Sequence, residues 1–193
     1  MRSVVISREV ILTASRTMLR EKGWAAINMR SVAAQCGVAV GSLYNYFSSK
    51  TELVAATVES VWEEIFRLPT DFPGEERFCR CIEWLYGSMQ QGNQRYPGFL
   101  TLHAMGFTTG SGKLEGRRMM ERIQGELRAA LCRVLQQDGQ VRQDVFDSRL
   151  TREGFVGLVF SMLLSALLRG EKSCEPLISV IHRILYLPPD ESN

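Results

Sequence analysis

The stretch that most constrains this chain is INMRSVAAQCGVAVGSLYNYFSSK, residues 27–50. Met29, Val32, Ala33 and Cys36 recur at i, i+3, i+4 and i+7, so they give a short helix one apolar face, and Asn28 stands where a side chain caps the free N–H groups. Gly37 ends that helix, because glycine enters the left-handed conformation without steric cost, and Val38 follows as an apolar plug. A second short helix is expected over 40–47, with Leu43 and Phe47 inward and Ser42, Tyr44, Asn45 and Tyr46 outside. This is a helix-turn-helix pattern, and the pattern alone also fits an αα-hairpin inside any helical bundle.

Two details favour a nucleic-acid partner. The first 50 residues carry seven Lys/Arg against two Asp/Glu, whereas residues 61–193 carry 16 against 17, so positive charge gathers around the motif. The outward Tyr-Asn-Tyr triplet also differs from the Glu and Lys of an ordinary solvated face. Phosphate oxygens accept hydrogen bonds from Tyr and Lys, and Asn can reach a base edge.

Met29 to Lys50, with Gly37-Val38, Gly41-Ser42-Leu43-Tyr44, Phe47 and Lys50 at these spacings, resembles the DNA-binding domain of TetR/AcrR-family transcriptional regulators; the likeness covers residues 7–66. The resemblance implies a DNA-binding set of Met29, Arg30, Val40, Gly41, Ser42, Tyr44, Asn45, Tyr46 and Lys50. Arg30 resembles a reader of bases or phosphates, Val40, Gly41 and Ser42 open the recognition helix, Tyr44 and Tyr46 resemble phosphate and sugar contacts, and Lys50 resembles a backbone anchor. Val40 stands where many relatives carry a polar or basic reader. Base selection therefore falls more on Arg30, Asn45 and apolar contact with thymine methyls.

The expected fold is all-α: a helix-turn-helix DNA-binding domain over 1–50, continued by a linking helix over 50–67, then a helical ligand-binding and dimerisation domain over 68–193. A first helix over 7–22 carries Val10, Ile11, Ala14, Met18 and Leu19 as its stripe, stopped by Gly23. Ser49 and Glu52 form a capping box that opens the linking helix. Two prolines and a glycine in 68–74 mark a break. Helices follow over 75–91, ended by Gly92, over 99–105 after the Tyr96-Pro97-Gly98 turn, and over 113–137, 148–169 and 173–187.

A net charge of +2 is too small for wholesale coating of nucleic acid, so DNA affinity needs a local patch. The longest uncharged run, 154–168, falls short of the ~20 residues that cross a bilayer, and Arg8 and Glu9 interrupt the apolar N-terminus, so neither a membrane nor an export signal is expected. Five cysteines, an odd number without CxxC spacing, and two histidines argue against a disulfide framework or a metal site, and fit the cytoplasm. No cofactor is expected. Gly110-Ser111-Gly112-Lys113 is not a P-loop, since Phe107 and Leu114 stand where that motif needs Gly and Ser or Thr. The chain lacks HExxH, GxSxG and recognisable paired carboxylates, which argues against an enzyme.

The middle helices offer candidate walls for a small, mainly apolar or aromatic effector: Trp62, Trp84, Met89, Phe99 and His103, with Met105, Phe107, Met119, Met120 and Ile123. Met and aromatic residues at helical spacing equally make ordinary core. Near the C-terminus Gly157, Ser161 and Ser165 form a strip of small residues beside Phe160, Leu164 and Leu168. A helix this apolar must be covered nearly all round, by its own chain or by a second copy. The resemblance implies the second: a four-helix homodimer interface that also includes Ile178, Ile181 and Leu185. The expected function is thus a ligand-responsive repressor that binds a palindromic operator in double-stranded DNA as a dimer. The alternative is a DNA-binding or coactivating protein of the same fold with no small ligand.

Overall fold

The computed structural model describes residues 6–67, 69, 72–99 and 113–187. Among these, every regular element is helical: α1 (Arg8–Lys22), a 3-10 turn (Trp24–Ala26), α2 (Met29–Cys36), α3 (Val40–Tyr44), α4 (Lys50–Ile65), α5 (Arg77–Arg95), α6 (Lys113–Gln137), α7 (Arg152–Leu168) and α8 (Glu175–Leu185). The chain forms two compact units, residues 1–67 with 92–120, and residues 68–91 with 121–193.

In the first unit, Ser7 caps α1 by accepting from Val10 N, and Gly23 ends it at φ 75°. Ile11, Met18 and Leu19 are buried as expected, Leu12 and Ser15 are buried with them, and Ala14 is half-buried while Val10 is 40% exposed. The expected and the observed stripe both satisfy a 3.6-residue period, so only packing against neighbours separates them. Ser49 Oγ accepts from Glu52 N at 3.1 Å, as expected, but the Glu52 carboxylate reaches one residue further back, to the N–H and hydroxyl of Ser48, both at 2.7 Å. Helix α4 buries Leu53, Ala56, Thr57, Val58, Val61 and Trp62. Its buried hydroxyls are satisfied locally, Thr57 donating to Leu53 O and Ser60 to Thr57 O.

Gly92 does not end α5, which continues to Arg95. A Cβ at Gly92 would lie 2.4 Å from Ile65 Cδ1, so the missing side chain lets the last residue of α4 lie against α5. Beside this contact Glu64 gathers three partners: Arg16 Nε at 3.3 Å, Arg95 Nη1 at 2.7 Å and the Tyr96 hydroxyl at 3.0 Å. Tyr96 is fully buried, and burial pushes its phenol up to about 12. Trp62 stacks on Phe66 at 4.5 Å and meets Phe99 at 5.1 Å. Gly98, at φ 79°, completes the expected turn.

In the second unit, Asp138 is 5% exposed and its carboxylate accepts from Phe78 N, Gln140 N and the Tyr186 hydroxyl at 3.0, 3.1 and 2.7 Å. A buried carboxylate is tolerable when its lone pairs are filled, and this one also faces the positive end of α5. It ties the start of α5 to the end of α6 and the end of α8. Glu76 sits at φ 56°, costly for a residue with a Cβ, and is held there from both sides: its N–H donates to Gln140 Oε1 at 2.8 Å and its carboxylate meets His182 Nε2 at 3.0 Å. Thr151 caps α7 by accepting from Gly154 N. The core of this unit includes Phe78, Ile82, Leu85, Leu131, Leu135, Phe155, Val156, Leu163, Ile181 and Leu185.

Candidate nucleic-acid interface

Asn28 Oδ1 accepts from Arg30 N at 3.1 Å and Ser31 N at 3.0 Å, and Ser31 Oγ accepts in return from Asn28 N at 3.3 Å. The first turn of α2 is thereby fixed. At its other end Gly37 adopts φ 69°, ψ 30°; Val38 N donates to Ala33 O and Gly37 N to Ala34 O, the paired bonds of a Schellman turn. Helix α3 follows at once. Its regular part stops at Tyr44, short of the expected residue 47, although Tyr46 N and Phe47 N both still bond to Leu43 O. Leu43 and Phe47 are fully buried, as the spacing predicts.

Around this scaffold Arg30, Gly41, Tyr44, Asn45 and Lys50 are exposed, Tyr44 by 54%, while Val40 and Ser42 are half-buried. Among the described residues the side chains of Arg30, Tyr44, Asn45 and Lys50 make no hydrogen bond or ion pair. Two cations, a phenol and a carboxamide at the start of α2, the end of α3 and the start of α4 thus have their donors unused, which suits acceptors such as phosphate oxygens and base edges.

Two members of the expected set fall elsewhere. Met29 is 6% exposed and belongs to the core, since the first residue of α2 opens its apolar face. Tyr46 is half-buried, and its hydroxyl donates to Ile6 O at 2.7 Å, which makes it a tie between the approach to α1 and the end of the α3 turn. The distant partner, 40 positions back, left no local signal. Cys36 is half-buried, and burial raises its thiol pKa.

Of the candidate effector walls, Trp62, Phe99, Met119 and Met120 belong to the first unit, and Trp84, Met89 and Ile123 to the second. Trp62 and Phe99 meet directly, and Phe66, outside the expected set, stacks on Trp62. Trp84 lies edge-on to Phe72 at 6.2 Å. His103, Met105 and Phe107 lie outside the described residues.

The C-terminal strip is divided by burial. Phe160, Ile181 and Leu185, expected on a free face, are inside the second unit at 3%, 0% and 0% exposure. Gly157, Leu164, Ser165 and Ile178 are half-buried, and Ser161 and Leu168 are exposed. Leu158 and Met162 on α7 and Val180 on α8 are exposed too and lie outside the expected set; α7 is apolar on all sides, so its period does not reveal which side is free. Leu158, Ser161, Met162 and Leu168 form one open stripe along α7, with half-buried Ser165 among them.

Residues 11–57 match the family described as bacterial regulatory proteins, tetR family. The chain is 32% identical over 90 residues to the HTH-type transcriptional repressor KstR of Rhodococcus jostii, covering 47% of this chain and 42% of that protein. It is 35% identical over 95 residues to KstR of Mycobacterium tuberculosis, covering 47% and 41%. The chain thus spans less than half the length of these relatives. The nucleoid occlusion factor SlmA of Aliivibrio fischeri is 30% identical over 129 residues, covering 64% and 66%. Among solved structures, a transcriptional regulator of Rhodococcus sp. RHA1 superposes with a TM-score of 0.64 at 19% identity, covering 94% and 96%. The multidrug binding protein EbrR, complexed with imidazole, gives 0.60 at 18%, covering 95% and 97%. These two likenesses concern the fold.

Proposed function

Since this chain belongs to the tetR family of bacterial regulatory proteins, we propose that it is a transcriptional repressor that binds a palindromic operator as a homodimer and leaves it when a small, mainly apolar or aromatic effector binds. The observation that carries the DNA-binding part is the capped α2–α3 corner with Arg30, Tyr44, Asn45 and Lys50 exposed and unengaged. A five-residue recognition helix supplies few base contacts, so specificity requires two copies, with recognition helices ~34–36 Å apart or a multiple of that to enter successive major grooves. The open apolar stripe on α7 is the surface suited to pairing the copies. Any effector that binds one separation better than the other shifts the protein between DNA-bound and free states. The two KstR relatives are named repressors, which favours repression as the output. Family membership sets aside the enzyme reading.

The test is selection of genomic fragments by the purified protein, followed by gel shift at graded salt. Wild type is expected to retain a fragment with affinity that falls steeply with salt. Arg30→Ala and Tyr44→Ala should weaken binding and leave the oligomeric state unchanged; binding unaffected by both would remove this site assignment.

A second reading keeps the DNA interface without an effector. Release of the selected fragment by members of an apolar compound panel supports the first reading; retention against all of them supports the second.

A further inference from the structure

We propose that Arg8, on the first turn of α1, is a further contact to the DNA backbone, a phosphate clamp attached to the end of the recognition helix; this rests on reading the α2–α3 corner as the DNA interface. Arg8 lies 39 positions from Phe47 in sequence, yet its guanidinium carbon stands 5.4 Å from the centre of the Phe47 ring. Phe47 is fully buried, so the platform beneath the cation is rigid. The backbone leading into α1 is held to the same turn, because the Tyr46 hydroxyl donates to Ile6 O at 2.7 Å. Arg8 therefore has a defined place beside the last turn after α3 rather than a free sweep through solvent.

The placement makes little sense for the helix alone. A cation in the first turn opposes the helix dipole, which favours acidic residues there. Arg8 is exposed and makes no hydrogen bond or ion pair among the described residues. A guanidinium over a ring uses its face and leaves its in-plane N–H groups free, the geometry that grips a phosphate in two places. The two nearby carboxylates are occupied elsewhere: Glu9 accepts from Arg16 at 3.0 Å and Thr13 at 3.3 Å, and Glu52 accepts from the N–H and hydroxyl of Ser48. Both carboxyls are held below the usual carboxylate range, Glu9 mainly by Arg16 and Glu52 mainly by Ser48, with a smaller contribution from the charge of Arg8. Arg30 and Lys50 are further exposed cations of the motif.

The test uses the full chain and the genomic fragment retained by wild type, with a scrambled duplex as the second DNA. Each lost phosphate contact lowers the slope of log affinity against log salt by about 0.9 on duplex DNA, so Arg8→Gln in a two-fold dimer should lower it by about 1.8. The affinity loss should be the same factor on both duplexes, since phosphates carry no sequence. Arg8→Lys should restore most of the slope, and Tyr46→Phe should weaken binding with the slope unchanged, because it loosens the support without removing a charge. Thermal melting of Arg8→Gln at the wild-type temperature shows the loss to be electrostatic. A slope equal to that of wild type overturns the proposal, as does a loss confined to the selected fragment or a lower melting temperature that accounts for the weaker binding. If wild type retains no duplex at low salt, the reading of the corner itself falls, and a failed clamp is distinct from that result.

Discussion

Gly92→Ala tests whether α5 and α4 touch as closely as the structure has them. The new Cβ would lie 2.4 Å from Ile65 Cδ1, 2.8 Å from Cγ1 and 3.2 Å from Cγ2. The terminal methyl could swing aside, but Cγ1 and Cγ2 both hang from Cβ, and a β-branched residue in a helix has essentially one χ1 rotamer. Relief therefore requires the two backbones to separate. Overpacking of this kind costs about 1–3 kcal/mol, whereas alanine is preferred over glycine within a helix by about 1 kcal/mol. The net expectation is a loss of about 1 kcal/mol, a fall in melting temperature of about 2–4 °C for a chain of this size. The assay is thermal and urea unfolding of Gly92→Ala, Ile65→Ala and the double variant. The double variant should be more stable than the sum of the singles by about 1 kcal/mol or more, because removing the Ile65 branches frees the space that the new methyl needs. A Gly92→Ala protein that melts above wild type, or strictly additive singles, would refute the close approach.

Asn28→Ala should cost about 1 kcal/mol, measured by urea unfolding, since it removes the acceptor for the Arg30 and Ser31 N–H groups. The thiols of Cys79 and Cys81 are pushed up to about 12, mainly by burial, so at pH 8 a thiol reagent should modify the half-buried Cys36 and Cys132 well before them. The same shifts mean that the folded state holds protons that the unfolded chain gives up above its ordinary thiol value of 9.0, so stability should be at its full value below that pH and fall as pH rises towards about 12. Unfolding midpoints that do not fall over that range would contradict it. Leu158→Arg, on the open stripe of α7, is expected to shift sedimentation from dimer to monomer while leaving the helical circular dichroism unchanged.

What the amino-acid order determined by itself is whatever depends on neighbours within one turn of chain. Asn28 and Ser49 cap because their acceptors reach N–H groups two or three residues on, Gly37 and Gly98 turn because they tolerate positive φ, and Leu43 and Phe47 share a face because four residues complete about one turn. Those short-range rules placed the helix-turn-helix and most of its exposed polar set. Tertiary structure decided whatever depends on which side of a helix meets a neighbour. Glycine is both a helix stop and a permit for close packing, and only Ile65 on α4 made Gly92 the second. Tyr46 and Arg8 acquired their roles from residues about 40 positions away, which no periodicity encodes. On α7, apolar at nearly every position, Phe160 went inward and Leu158 outward although both are hydrophobic, since burial of one side is a property of the packed unit and not of the helix.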